Sequence, residues 1–165
     1  MITKKKPKHY INNKQLLEEM IKYKDSVKAA AEGGTTKPRI SRYIGESLMM
    51  INNKLSNKFN FINYTYKDEM IADGIENCIA AVDNFDPAKS SNPFAYFTQI
   101  AWNAFVRRIQ KEKKQTYIKH KNFEISGIAS ELLGSDNAVS NKHNDYSSDV
   151  IKNYEDTLKK KKETT

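Results

Sequence analysis

Cysteine is nearly absent from this chain: 165 residues hold only one, Cys78. One thiol excludes an intrachain disulfide and a cysteine-rich zinc site, and it fits a reducing cytoplasm. Histidine is nearly as rare. His9, His120 and His143 stand in polar or basic surroundings without metal-ligand spacing, and His120 lies between two lysines, a poor setting for a cation. The six glycines form no phosphate-binding loop, since Gly33-Gly34 leads into Thr35-Thr36-Lys37-Pro38. No nucleophile, base and orienting group assemble into a catalytic set. There is no run of roughly 18 apolar residues for a membrane span, and the basic start, Met1 to His9, is not followed by the apolar segment of a signal peptide. The expectation is a binding protein with no catalytic residue, cofactor or metal, neither exported nor inserted in a membrane.

Positive charge is what the chain does have. The 28 Lys and Arg against 20 Asp and Glu leave a net charge of +8, which favours a polyanionic partner, nucleic acid before an anionic membrane surface. Solubilising surface charge is the plain alternative. The length suits one folded domain. Residues 1–12, with Lys4, Lys5, Lys6 and Lys8, are too polar to pack and read as a mobile basic arm.

From residue 13 the apolar spacing is helical, and the fold class it predicts is all-α. Asn13 can cap a first helix carrying Leu16, Leu17, Met20, Ile21 and Val27, which ends by Gly33-Gly34. Ser41 announces a second helix with a stripe of Ile44, Leu48, Ile51, Leu55 and Phe59, and Met49-Met50 as adaptable apolar filling. The loop Asn60 to Tyr64 is expected to fold back on the core. Thr65 with Asp68 resembles a capping box for a third helix.

That third helix turns Met70, Ile71, Gly74, Ile75, Cys78, Ile79 and Val82 inward, leaving Glu69, Asp73, Glu76 and Asn77 as an acidic outer ridge. The helix dipole accounts for negative charge in the first turn. Asp73 and Glu76 lie beyond that turn and would repel phosphate, so the ridge is assigned to a protein partner. Exchange of Asp73 and Glu76 for lysine is expected to weaken that contact while leaving the fold intact.

Asp86-Pro87 stops the helix, and Asn92-Pro93 starts the next as cap and first helical residue. At about 3.6 residues per turn, Phe94, Phe97, Ala101, Ala104, Phe105 and Ile109 share one face of it. Tyr96, Gln99, Asn103, Val106, Arg107 and Gln110 lie around the other, with Trp102 at the boundary. Amides can pair with base edges, a cation with phosphate, and aromatics can stack on an unpaired base. The run Arg107, Arg108, Lys111, Lys113, Lys114, Lys119 and Lys121, opposed only by Glu112, extends this face as a phosphate track. Beyond residue 121, where the helical domain 13–121 is taken to end, only Ile125, Ile128, Leu132 and Leu133 offer packing. A largely flexible tail is expected over 122–165, with a short helix at 149–158 through Ile151, Tyr154 and Leu158 and a basic end at Lys159 to Lys162.

Residues Tyr66 to Lys114 resemble the conserved second region of the bacterial sigma factor family. The likeness is carried by Asp73-Gly74, by Ala81-Val82-Asp83-Asn84-Phe85-Asp86-Pro87, and by Tyr96, Thr98, Ile100 to Ala104 and Arg107. A closer resemblance is to the late-transcription sigma factors of T-even-type bacteriophages. It adds Tyr10 to Lys14, Leu16-Leu17, Leu55 to Phe61, Tyr64-Thr65, Glu69 to Glu76, Asn92-Pro93, Asn103 to Val106 and Arg108-Ile109, roughly the first three quarters of the chain.

What the resemblance implies is a compact all-α factor, with a helical hairpin like sigma region two, that performs no covalent chemistry. It would bind the host RNA polymerase core in the cytoplasm of an infected bacterium, then direct recognition and opening of A/T-rich late promoters. Glu69, Asp73, Glu76 and Asn77 would meet the clamp helices of the largest polymerase subunit. Tyr96 would stack on a flipped adenine, Asn103 and Val106 would meet the upstream edge of the promoter element, and Arg107 would hold phosphate. Thr98, Gln99, Trp102 and Lys111 complete the DNA-binding set.

Two departures stand out. Gln99-Ile100 occupy the place of the tryptophan wedge of primary sigma factors, and the basic C-terminus has the wrong sign for the acidic, hydrophobic motif that engages the polymerase flap and the phage sliding clamp. Flap contact is then either rebuilt on Ile151, Tyr154 and Leu158 or missing. No second DNA-binding domain is evident, which implies a late coactivator as a further partner. A stand-alone basic DNA-binding regulator and a protein-interaction module docking on polymerase remain the alternatives.

Overall fold

The computed structural model describes residues 10–126 and 137–163, and every regular element within them is helical. The order is α1 (Asn13–Glu32), α2 (Arg42–Ser56), α3 (Lys67–Ala81), a 3-10 turn (Val82–Asn84), α4 (Pro93–Ile125) and α5 (Asn137–Glu163). The all-α class read from periodicity is the class observed. Two compact units divide the chain, Met1–Arg108 and Ile109–Thr165. The boundary expected after residue 121 therefore falls inside α4. The short helix expected at 149–158 is the middle of the longer α5. Residues 1–9 of the basic arm, and Ile128, Leu132 and Leu133, lie outside the described residues.

The cap of α1 is Asn12, whose Oδ1 accepts from the backbone N–H of Lys14 at 3.1 Å and Gln15 at 3.4 Å. Asn13, the expected cap, has another task. Its Oδ1 accepts from Phe94 N–H at 3.1 Å, one of the first-turn donors that α4 cannot satisfy itself. The first residue of α1 thus helps to cap α4. Ile11, expected to lie in an unpacked arm, is buried, and Tyr10 before it packs edge-on against Phe94 at 5.7 Å. At the other end Gly34 adopts φ 63°, Thr35 N–H donates to Ala30 O at 2.9 Å and Gly34 N–H to Ala31 O at 3.4 Å. This is a Schellman ending, which needs a residue without Cβ at Gly34.

Leu16, Met20 and Tyr23 from α1 and Ile44, Leu48, Ile51 and Leu55 from α2 are buried, but Ile21, Met49 and Met50 lie outward. Ser41 Oγ caps α2 through Ile44 N–H at 3.4 Å. The α2 stripe stops short of Phe59, because the helix ends at Ser56 and Phe59, past its last turn, is 88% exposed. Phe61 fills the interior place instead, while Ile62 from the same loop stays half exposed. Nor does the expected capping box form: α3 starts after Tyr66 with no side-chain cap. Its buried line is Met70, Gly74 and Cys78, continued by Val82 in the 3-10 turn, and Ile79 is half exposed.

Gly74 governs how closely α3 can approach its neighbours. A Cβ there would stand 2.0 Å from Asn52 Oδ1 and 2.7 Å from Phe105 Cε1, so α2 and α4 together occupy the space of a side chain. Asn52 is itself fully buried, donating from Nδ2 to Leu48 O at 2.8 Å and to Cys78 Sγ at 3.8 Å. The same burial pushes the Cys78 thiol up to about 11.

A polar clamp fastens the other end of α3. Asp83 accepts from Tyr23 Oη at 3.2 Å and pairs with Lys37, while Lys24 Nζ donates to its carbonyl. Lys37 holds the Asp83 carboxyl below its ordinary value, and burial, with Asp83 second, raises Tyr23. Side-chain exposure of 45% at Asp83 keeps the clamp's worth small.

Three substitutions test this packing and the clamp. Gly74→Ala should lower unfolding free energy in urea by about 1–3 kcal/mol through overpacking. By contrast Gly45→Ala, where an added methyl meets nothing within 4 Å, should raise it by about 0.4–1 kcal/mol. Asp83→Asn should cost under about 1 kcal/mol at neutral pH. Because the folded-state pKa of Asp83 is depressed, that stabilisation is present above the ordinary carboxylate range and lost as pH falls through the folded value. The gap between wild type and variant should therefore close in acid thermal melts.

Candidate functional site

Helices α3 and α4 run antiparallel, and a series of contacts fixes their register. Tyr96 Oη donates to Ala81 O at 3.4 Å, Cys78 Sγ to Phe97 O at 3.5 Å, Gly74 meets Phe105, and Arg108 reaches Asp73. The connector holds this hairpin by its own turns. Asp86 Oδ1 accepts from Ala88 N–H at 3.0 Å, Asp86 O accepts from Lys89 and Ser90, and Asn92 Oδ1 caps α4 through Ala95 N–H at 3.0 Å. Asn92 and Pro93 therefore play the parts their sequence predicts.

The expected base-reading residues divide by accessibility. Gln99, Asn103, Arg107 and Lys111 are exposed, whereas Tyr96, Thr98, Trp102 and Val106 are half-buried. Lys111 belongs to the second unit and is not grouped with the others. Tyr96 leans edge-on against Phe85 at 5.2 Å and Phe97 at 5.1 Å, and burial raises its phenol pKa. Trp102 is edge-on to Phe61 at 4.7 Å. Thr98 donates its hydroxyl to Phe94 O at 2.7 Å, leaving only acceptor capacity for a ligand. Gln99 Nε2 donates to Asn103 Oδ1 at 3.0 Å, an arrangement that keeps the Gln99 carbonyl and the Asn103 amino group for another partner.

The acidic ridge also divides. Glu69 and Glu76 are exposed and enter no ion pair among the described residues. Asp73 instead receives Arg108 through two bonds, Nε at 2.6 Å and Nη2 at 2.7 Å, with the two side chains only 30% and 18% exposed. Its neighbour Asn77 donates to Asp73 O at 2.7 Å and accepts from Arg107 Nη2 at 2.7 Å.

These two adjacent arginines have opposite electrostatic fates. Arg108 is neutralised by a carboxylate and serves the fold, while Arg107 is held by a neutral amide and keeps its full charge at the surface. The pairing of Asp73 with Arg108 is not evident from the helical wheel, which places Asp73 outside. It follows from Gly74: the close approach there brings the adjacent Asp73 within reach of α4.

In the second unit Tyr117 stacks on Tyr154 at 4.6 Å and donates to Glu155 Oε1 at 3.2 Å. His120 Nδ1 and Ser147 Oγ lie 2.9 Å apart. Of the three residues expected to meet polymerase here, Ile151 is buried, Tyr154 is occupied by this stack, and Leu158 is 44% exposed. Among the described residues no group of three or more His, Cys, Asp or Glu could hold a metal, and no helix is long and apolar enough to cross a membrane.

The structure changes the expectation for lysine exchange on α3. Asp73→Lys should destabilise the fold by about 1–3 kcal/mol in urea, since it sets a second cation against Arg108. Glu76→Lys should stay within about 0.5 kcal/mol of wild type. Only Glu69 and Glu76 are clean probes of the outer face.

No family model matches this sequence, and no curated protein matches it.

Proposed function

We propose that this chain is a promoter-specificity factor of the phage late sigma type, acting on a host RNA polymerase core in the cytoplasm of the infected bacterium. The observation that carries the reading is the separation of side-chain chemistry between the two helices of one hairpin. Carboxylates with no ion pair among the described residues, Glu69 and Glu76, lie on α3; an amide-and-aromatic face with Arg107, a guanidinium held by a neutral amide, lies on α4. Acid beside a phosphate-binding face disfavours a helix that reads duplex DNA alone, because it repels the backbone. It suits a factor that grips protein with one helix and DNA with the next. Polymerase clamp helices would take the α3 face.

On the α4 face, Arg107 would hold phosphate while the Tyr96 ring replaces the stacking an unpaired adenine loses on leaving the duplex. The Gln99 carbonyl and Asn103 amino group together offer the acceptor and donor that an adenine edge needs. Thr98, Trp102 and Val106 border these groups. No group on the hairpin is set up to make or break a covalent bond, and the reading assigns the protein no reaction. Contacts to the flap, a sliding clamp or a late coactivator would fall to the second unit, with Leu158 the accessible one of its three candidates.

Paired variants test this. With core polymerase bound, Tyr96→Ala should weaken binding to an A/T-rich fragment with a premelted bubble by about tenfold, the scale of one lost stacking partner. Tyr96→Phe, which keeps the ring, should bind as wild type. The double variant Glu69→Lys, Glu76→Lys should lose core affinity and keep its fold. Equal fragment binding by Tyr96→Ala, or unchanged core affinity in the double variant, would contradict the respective assignment.

A further inference from the structure

The connection between α2 and α3 carries a feature that the hairpin does not use. From Ser47 to Lys67 the chain has no acidic residue, while Lys54, Lys58 and Lys67 are all present. Nor is this connection a loose loop. Lys58 N–H donates to Leu55 O at 3.0 Å, and Phe61 and Ile62 N–H both return to Lys58 O, at 2.8 and 3.0 Å. Lys67 Nζ closes its base on Asn57 Oδ1 at 2.6 Å. Phe61 is driven into the core, edge-on to Trp102 and to Phe105. Two residues earlier Phe59 does the reverse: its ring is 88% exposed on this anchored turn, with Ile62 half exposed beside it in sequence.

An anchored turn that holds a phenyl ring in water gains nothing for folding from that ring, since burial is what makes an aromatic stabilising. We propose that this turn is a second contact surface, for single-stranded nucleic acid. Phe59 is the stacking platform for a base, and Lys54 and Lys58 hold the flanking phosphates. Both lysines are exposed and pair with no carboxylate among the described residues. Cations without neighbouring acids select a polyanion over an ordinary protein surface. The aromatic ring selects unpaired bases over a duplex, because only an unstacked base offers its face. Buried Phe61, packed edge-on to Trp102, anchors the turn to the core beneath α4. The inference does not need the polymerase reading, as it concerns what the chain binds by itself.

The test is fluorescence anisotropy of the purified full chain with a labelled single-stranded oligodeoxynucleotide, and with the same sequence as duplex, at low salt. The single strand should bind more tightly than the duplex. Phe59→Ala should weaken single-strand binding by about tenfold, and Phe59→Trp should retain it and show indole quenching on binding. The double variant Lys54→Ala, Lys58→Ala should reduce the slope of log affinity against log salt by about one to two. Thermal melts of these exposed-site variants should match wild type. Equal strand affinity in wild type and Phe59→Ala overturns the proposal. So does loss of core polymerase affinity in Phe59→Ala with strand binding unchanged, which would make the turn a protein-docking site. Core polymerase plays no part in the strand assay, so its outcome is independent of the hairpin's assignment.

Discussion

The absence of a side chain at Gly74 is the constraint on which the first unit depends. The Asn52 amide and the Phe105 ring converge on the space a Cβ would fill, which lets three helices meet more closely than side-chain packing normally allows. Asn52 must then be buried, and it is satisfied on its donor side by Leu48 O and the Cys78 sulfur. A buried amide in that position is costly unless bonded. Its geometry favours one alignment of α2 on α3 over slipped alternatives, as buried polar groups can in packed helices.

From this close approach the surface chemistry follows. With α3 against α4 in fixed register, Asp73 falls opposite Arg108 and Asn77 within reach of Arg107. One guanidinium is neutralised and the other is oriented without being neutralised. The hairpin thus presents a charge pattern that neither helix has alone: carboxylates toward one side of α3, and a cation among amides and aromatics on α4. The proposed function uses that pattern, and the proposed role of the α2–α3 turn would add an aromatic platform of its own. The polar clamp at Asp83 acts at the far end of α3, tying α1 to the connector whose Phe85 supports Tyr96.

How much of this can be read from sequence depends on the range of the interaction. Local signals suffice where the physics is local: Ser41 and Asn92 cap their helices, Pro93 starts α4, Gly34 ends α1, and the spacing of Ile44, Leu48, Ile51 and Leu55 finds the core. The amide-and-aromatic composition of the α4 face is likewise legible, because a helical wheel needs only the sequence. Contacts between distant residues are not. Asn13 spends its side chain on Phe94 instead of its own helix, and Asp73 turns to Arg108 instead of solvent. Phe59 continues the α2 stripe in spacing but not in space, since the helix has already ended. Ile151 and Tyr154 pass for a docking edge until α4 is seen to run on far enough to bring Tyr117 onto α5.

The most direct test of the central claim, that one hairpin divides its faces between polymerase and unpaired DNA, is a quantitative binding measurement on the wild-type chain. Affinity for an A/T-rich fragment with a premelted bubble should be measured at fixed salt, with and without host core RNA polymerase. The account predicts tight, saturable binding to core, and sequence-dependent recognition of the fragment only when core is present. No binding to core, with salt-sensitive binding of duplex DNA by the chain alone, would contradict it and favour a stand-alone regulator.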